Sequence, residues 1–127
     1  MNTPGQIRVM TVDDHEIVRN GMKFLLLPFT DIKVVGQARN GEEALHLCQE
    51  LRPDVILMDM VMPGMDGPEL IQAIREQNND VQILTLTTFQ DEELVQRAMQ
   101  AGAIGYLLKG VSVDRLADAI RAAHAGQ

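Results

Sequence analysis

Aromatic residues and cysteine are scarce in this sequence. Phenylalanine and tyrosine together make up 3% of the residues, and tryptophan is absent, so the core must be aliphatic. The single cysteine, Cys48, excludes an internal disulfide framework. Cys48 and the scattered His15, His46 and His124 also lack the spacing of a zinc site.

Basic residues are outnumbered as well. Lysine and arginine total 11 against 18 acidic residues, which gives a net charge of −7. Nucleic-acid binding depends on cationic side chains that neutralise phosphates, so the chain is not expected to bind DNA or RNA by itself.

The longest apolar stretch, residues 24–29, contains Pro28 and is far too short to span a membrane. The opening MNTPGQ lacks the features of a signal peptide. We therefore expect a cytoplasmic protein that does not engage membranes.

Short apolar strand patterns alternate regularly with amphipathic helical patterns. The predicted strands cover residues 7–12, 32–38, 55–58, 81–86 and 104–108. The intervening helices have cap residues at Asn40 and Ser112 and stop signals at Pro28, Pro53 and Gly102. Glu43, three residues after Asn40, predicts a capping box. The apolar positions of these helices, which include Leu25 in the first helix and Met99 in the fourth, are predicted to face the core. Five β-then-α units with short connections predict one α/β domain over residues 1–127, with a parallel sheet covered by helices on both faces.

Polar side chains follow four of the five predicted strands. Asp13 and Asp14 follow the first strand, Asp59 the third, Thr87 the fourth and Lys109 the fifth. Ligands bind at the carboxyl ends of strands in open α/β sheets, where the strand order reverses. If the strand order is 2-1-3-4-5, the first and third strands are neighbours at that reversal. Three carboxylates, a hydroxyl and an ammonium then meet in one crevice.

Three carboxylates beside a hydroxyl and an ammonium favour cation binding and phosphoryl transfer. Each like-charge pair at about 4 Å costs about 4 kcal/mol at an effective dielectric of about 20, so the cluster favours a bound cation. Mg²⁺ suits a few carboxylates and keeps several waters. A carboxylate beside Mg²⁺ can attack phosphorus, with the ammonium and hydroxyl holding the phosphoryl oxygens. We therefore predict an aspartyl-phosphate site, with Asp59 as the acceptor because it ends the central strand.

Each residue also has a simple structural interpretation. Asp13 or Asp14 alone is more often a helix cap, and His15 is more often a polar first-turn residue than a catalyst. Tyr106 alone suits a packed aromatic, and Lys109 alone a solvated surface lysine. Their joint occurrence at matching strand ends favours the functional interpretation.

Four motifs extend this interpretation to a family. They are VDDH at residues 12–15, LMDMVMPGMDG at 57–67, LTT at 86–88 and AGAIGYLLKG at 101–110. In this order and spacing they resemble the receiver domain of bacterial two-component response regulators, over essentially the whole chain. The resemblance implies a flavodoxin-like (βα)5 fold with strand order 2-1-3-4-5.

The resemblance also assigns site roles. Asp59 would accept a phosphoryl group from a sensor histidine kinase and would also bind the metal ion. Asp14 would bind Mg²⁺ (or Mn²⁺) directly, Asp13 largely through water, and Val61 through its backbone carbonyl. Lys109 would pair with the phosphoryl group.

Two further residues would transmit the signal. Thr87 would move toward the phosphoryl group, and Tyr106 would change rotamer in the space that Thr87 vacates. The face formed by helix 4, strand 5 and helix 5 would then be remodelled, with homodimer formation as the expected result. Such a domain is no enzyme in the ordinary sense, since it catalyses only its own phosphorylation and dephosphorylation.

Finer features resemble the NarL/FixJ type. They are DDHEIVRNGMKFLL after strand 1, LTTF after strand 4 and LADAIRAAHAG in the last helix. This resemblance implies a LuxR-type helix-turn-helix domain after residue 127, which would make the parent protein a transcriptional regulator that contacts DNA only through that domain. Gly110 follows Lys109 where many receivers have proline, so that loop need not copy theirs.

Three alternatives stay open on the sequence. A phosphohydrolase of the haloacid dehalogenase type typically carries Asp-x-Asp, but Val61 stands in place of the second aspartate. A flavodoxin-like cofactor binder needs a phosphate loop after strand 1, where this chain has DDHE. A stand-alone receiver, acting by phosphotransfer or protein binding without DNA, shares all of the site chemistry.

Overall fold

A computed structural model of the chain describes residues 5–60, 62, 64, 66–78, 80–87 and 92–126. Within these residues five strands alternate with five helices. The strands are β1 (Ile7–Val12), β2 (Ile32–Ala38), β3 (Val55–Asp59), β4 (Gln82–Thr87) and β5 (Gly105–Leu108). The helices are α1 (Glu16–Leu26), α2 (Gly41–Leu51), α3 (Gly67–Gln77), α4 (Glu92–Ala101) and α5 (Val113–His124). No helix in these ranges is both long and apolar enough to cross a membrane.

The strands form one parallel sheet in the order β2-β1-β3-β4-β5. The predicted fold and strand order are therefore confirmed. Val12 of β1 pairs with Met58 of β3, so Asp13 and Asp59 leave the sheet side by side. This register places the two aspartates at the reversal of strand order, where ligands bind in folds of this type.

The core forms two aliphatic layers, one on each face of the sheet. Alternate strand residues point to opposite faces, which separates Met10, Ile56 and Met58 from Val9, Val55 and Leu57. The first set packs with α2, α3 and α4, and the second with α1 and α5. No aromatic side chain is buried among the described residues, as the composition predicts.

Three side chains cap helices. Asn40, Asp66 and Ser112 accept hydrogen bonds from the third residue of α2, α3 and α5 respectively. The box predicted for α2 is shifted by one residue, because Glu43 accepts from the backbone N–H of Arg39 rather than from that of Asn40.

Two inward-facing predictions for the helices are wrong. Leu25 on α1 is 51% exposed and Met99 on α4 is 43% exposed. On α1 the buried positions are Met22 and Leu26, and Leu25 lies about 100° around the helix from Leu26. The apolar stripes of these helices are wider than the surface that the sheet covers.

Arg75 on α3 ties together the two segments that lead into β4 and β5. Its guanidinium donates hydrogen bonds to the carbonyl of Gly102, at 3.0 Å from Nε and 2.6 Å from Nη2, and to the carbonyl of Val81. Gly102 has a φ of +121°, and a Cβ there would lie 2.9 Å from Arg75 Nε. Glycine is therefore required at this contact by both its backbone conformation and its lack of a side chain.

We predict that Gly102→Ala lowers the free energy of unfolding by about 1–3 kcal/mol, because strain and a steric clash coincide. The matched control is Gly21→Ala in α1, where nothing lies within 4 Å of an added Cβ; it should raise stability by up to about 1 kcal/mol. Urea denaturation measures both. Equal effects of the two substitutions would contradict the role given to Gly102.

Candidate functional site

The carboxyl edge of the sheet brings three charged residues from three strands into contact. Lys109 follows β5, and its Nζ lies 2.9 Å from Asp59 Oδ2 and 3.5 Å from Asp13 Oδ2. Asp59 ends β3 and Asp13 follows β1. The lysine therefore reaches past β4 to join residues that are 50 and 96 positions away in the sequence.

Strand register explains why these side chains meet. Asp59 pairs with Leu86, and Leu86 pairs with Leu107, so all three lie on one face of the sheet. Lys109 is two positions beyond Leu107 and keeps that face. Its backbone N–H donates to the carbonyl of Thr87 at 2.8 Å, which holds the lysine at the edge of the sheet.

The two aspartates that Lys109 contacts are almost fully buried. Asp13 is 0% exposed and Asp59 is 2% exposed, whereas the side chain of Lys109 is 23% exposed. Burial by itself would lower the pKa of Lys109, but the Asp59 hydrogen bond and the charges of Asp59 and Asp13 raise that pKa overall. The ammonium is thus held in its charged form between the two carboxylates.

Asp13 combines a structural role with its place in the cluster. Its Oδ1 accepts a hydrogen bond from the backbone N–H of His15 at 2.8 Å, and its carbonyl accepts one from Arg19 Nη1 at 2.6 Å. These bonds fix the turn from β1 into α1. Asp13 is therefore both a turn residue and a member of the ionic cluster, whereas the helix-cap position that the sequence also suggested for it is occupied by His15.

His15 also belongs to the cluster, which the sequence did not predict. It occupies the cap position of α1, but its side chain makes no capping hydrogen bond. Its Nδ1 lies 3.1 Å from an oxygen of Asp13 and 3.1 Å from an oxygen of Asp14. The only sequence signal for this placement is that the histidine directly follows two aspartates.

The acidic residues have the composition of a metal site. Ligand atoms of Asp13, Asp14, His15 and Asp59 all lie within 4.8 Å of one another. Three carboxylates outnumber the single Lys109 ammonium, so the cluster suits a divalent cation. Val61, whose backbone carbonyl was predicted to join the ligands, lies outside the described residues.

Thr87 lies on β4, the neighbour of the strand that carries Asp59, and Tyr106 lies on β5, one strand further out. Thr87 ends β4 and is 4% exposed, directly after the partner of Asp59 in the sheet. Tyr106 lies on β5 opposite Thr85 and is 41% exposed. By register, the side chains of Thr87 and Tyr106 share one face of the sheet.

The sequence is similar to a known domain family and to known regulatory proteins. Residues 9–121 match the family described as the response regulator receiver domain. The transcriptional regulatory protein LiaR of Bacillus subtilis is 48% identical over 121 residues, which are 95% of this chain and 57% of LiaR. The response regulator UvrY of Escherichia coli is 45% identical over 95% of this chain and 56% of its own length. The chain thus spans a little over half the length of these curated relatives.

Solved structures agree with the sequence matches. The signal receiver domain of the putative response regulator NarL from Mycobacterium tuberculosis has a TM-score of 0.91 and 34% identity, covering 98% of this chain and 100% of that domain. A two-component response regulator of the LuxR family from Aurantimonas sp. has a TM-score of 0.90 and 37% identity, covering 96% of this chain and 87% of that chain. The NarL and LuxR-family neighbours confirm the resemblance to the NarL/FixJ type. On its motifs, its strand order and these matches, the chain belongs to the response regulator receiver domain family.

Proposed function

We propose that this receiver domain is switched by transfer of a phosphoryl group to Asp59. The observation that carries the proposal is a buried carboxylate at the end of the central strand, paired at 2.9 Å with Lys109 and set within an acidic cluster. A buried carboxylate held on rigid scaffold is well placed to act as a nucleophile. The nearby ammonium can stabilise the negative oxygens of the group that it receives.

The cluster fits the divalent ion that the family implies. Asp14 and Asp59 would hold Mg²⁺ or Mn²⁺ directly, Asp13 largely through water, and Val61 through its backbone carbonyl. When bound, the ion would offset the repulsion between the Asp59 carboxylate and an incoming phosphoryl dianion. Asp13 and Asp14 are adjacent in sequence and lie in the turn from β1 into α1, so that turn brings both carboxylates to the pocket, where Asp59 reaches them from β3.

The transfer step exchanges one bond to phosphorus for another. A carboxylate oxygen of Asp59 forms the new bond, while the bond from phosphorus to the leaving atom of the donor breaks and its electron pair stays with the donor. For a sensor histidine kinase that leaving atom is an imidazole nitrogen. Lys109 already contacts Asp59, so its ammonium can follow the transferred oxygens without a large displacement.

Phosphorylation would then be read out through β4 and β5. The hydroxyl of Thr87 would turn toward the phosphoryl group, and Tyr106 would change rotamer in response. The hydrogen bond from Lys109 N–H to the Thr87 carbonyl links the two strands next to the site. The exposed side chains of Tyr106 and Leu108 lie on the face that this change would remodel. The result would be a shift between pre-existing inactive and active states.

The parent protein would be a cytoplasmic, DNA-binding transcriptional regulator. This proposal is supported by the name of LiaR and by the fact that the chain spans only 57% of LiaR. DNA contact would be made by a LuxR-type helix-turn-helix domain beyond residue 127, with homodimer formation after phosphorylation. The domain would catalyse only its own phosphorylation and dephosphorylation. A stand-alone receiver that acts by phosphotransfer or protein binding without DNA is the second candidate, because it uses the same site.

The acceptor assignment predicts that Asp59→Asn abolishes phosphorylation by labelled acetyl phosphate in the presence of Mg²⁺. The matched control is Asp66→Asn in the same sequence motif. Asn remains a good helix cap, so this variant should keep α3 intact and label like the wild type. Label retained by the Asp59 variant, measured after gel filtration, would contradict the assignment.

The metal assignment predicts that Mg²⁺ at a hundredfold excess over its Kd stabilises the wild-type protein by about 2.7 kcal/mol. Asp14→Asn should lose most of this gain and should be more stable than the wild type without metal, because one like charge is removed. Thermal unfolding with Mg²⁺ or with chelator measures both effects. A metal-free Asp14 variant that is less stable than the wild type would show that Asp14 is chiefly structural.

The ionic contact predicts that Lys109→Met lowers metal-free stability by about 3 kcal/mol, because two buried carboxylates lose their cation. Lys109→Arg, which keeps the charge, should lose less. Mg²⁺ should stabilise the Met variant more than it stabilises the wild type, since the ion replaces the missing positive charge. Denaturant titrations with and without Mg²⁺ test this, and unchanged metal-free stability of the Met variant would contradict it.

A further inference from the structure

The His15 ring lies against two of the carboxylates that form the acidic pocket. We propose that His15 supplies a nitrogen ligand to the divalent ion held by Asp13, Asp14 and Asp59. The pocket would then bind transition-metal ions such as Mn²⁺ more tightly, relative to Mg²⁺, than a pocket of oxygen ligands alone. This inference rests on the metal site of the proposed function and assigns to that site a specificity-determining residue.

The spacing of the ligand atoms supports direct coordination. His15 Nδ1 lies 3.1 Å from Asp13 Oδ1 and 3.1 Å from Asp14 Oδ1. Neighbouring ligands of an octahedral ion with bonds of about 2.1 Å lie about 3 Å apart. The imidazole nitrogen therefore stands at the distance from Asp14 Oδ1 that two adjacent ligands of one ion would have, and its contact with Asp13 keeps the ring against the pocket.

The backbone holds His15 in place without using its side chain. Its N–H donates to Asp13 Oδ1 at 2.8 Å, and its carbonyl accepts from the N–H of Arg19 at 3.1 Å. The side chain makes no capping bond to α1. The ring therefore makes no hydrogen bond that caps the helix. It lies instead against the carboxylates of Asp13 and Asp14.

The chemistry of the ring allows this role. Neutral imidazole carries a proton on one nitrogen and a lone pair on the other, and the lone pair binds the metal. The side chain of His15 is 62% exposed, so water can accept a hydrogen bond from the ring once Nδ1 coordinates the ion. A metal-free pocket instead allows Nδ1–H to donate to the carboxylates.

Ligand type sets the expected preference. Mg²⁺ is bound almost entirely by oxygen ligands, whereas Mn²⁺, although it also favours oxygen, is a transition ion and accepts an imidazole nitrogen more readily than Mg²⁺ does. Removing the ring should therefore weaken Mn²⁺ binding much more than Mg²⁺ binding. A histidine that only positions the carboxylates would change both affinities to a similar extent.

The chain offers a matched control. His46 on α2 also lies beside a carboxylate, with Nε2 at 3.3 Å from Glu50 Oε2, and its side chain is 74% exposed. It is not one of the four residues whose ligand atoms lie together at the sheet edge. His46→Ala thus removes an exposed imidazole with a carboxylate partner and leaves the pocket unchanged.

The test is to measure the Kd of Mn²⁺ and of Mg²⁺ for the wild type, His15→Ala and His46→Ala, with pulsed EPR of the bound Mn²⁺. We expect nitrogen coupling to Mn²⁺ in the wild type and in the His46 variant, and its loss in the His15 variant. We also expect His15→Ala to weaken Mn²⁺ binding by about tenfold and Mg²⁺ binding by less than about threefold.

The outcomes separate this inference from the proposed function. Bound Mn²⁺ without nitrogen coupling in the wild type, or equal loss of both affinities in His15→Ala, would overturn the role of His15 and leave the aspartate site standing. Failure of the wild type to bind either ion would overturn the metal site itself, and the inference with it.

Discussion

The structure depends on how charge is balanced among buried carboxylates at one edge of the sheet. Asp13 and Asp59 are almost entirely buried and lie at the ends of adjacent strands. Two such charges repel each other strongly in a low-dielectric environment. A single ammonium, from Lys109, contacts both. Asp14 adds a third carboxylate that Lys109 does not contact in the described structure, so the pocket still favours a cation.

The scaffold is arranged to keep this ionic contact in place. Parallel strands deliver the three groups to one edge, and the register places them on one face of the sheet. Arg75 fixes the segments that lead into the two strands carrying Thr87 and Lys109. The turn after β1 is held by Asp13 itself and by Arg19. Residues of the site therefore also stabilise the fold around it.

The Lys109–Asp59 pair also suggests which parts of the site move. The ammonium lies against the proposed acceptor in the unphosphorylated domain, so under the proposed transfer it would change its partner atoms without a large movement. The larger change would then fall to uncharged groups on β4 and β5, for which we propose Thr87 and Tyr106. The partial exposure of Tyr106 gives its ring room to change rotamer.

The sequence predicted the strands, their order and the set of residues at the sheet edge. The strands follow from hydrophobic periodicity, and the residues at the sheet edge follow from the geometry of parallel sheets once the strand order is given. The order itself was implied by the resemblance to receiver domains. It did not predict the Arg75 contact, because its partners are backbone carbonyls, one of them 27 residues away. It placed Leu25 and Met99 inward because an apolar stripe does not reveal how much of a helix the sheet covers. It did not predict that the His15 ring lies against Asp13 and Asp14, because periodicity and strand ends do not reveal the direction of a side chain in a turn.

The central claim is that Asp59, supported by a cation and Lys109, accepts a phosphoryl group. The most direct measurement is the intact mass of the wild-type protein after incubation with acetyl phosphate, with Mg²⁺ or with chelator, followed by peptide mapping. The claim predicts one phosphoryl group on Asp59, formed only with Mg²⁺ and lost at alkaline pH. No added mass under conditions that label another receiver domain, or a phosphoryl group mapped to a different residue, would contradict it.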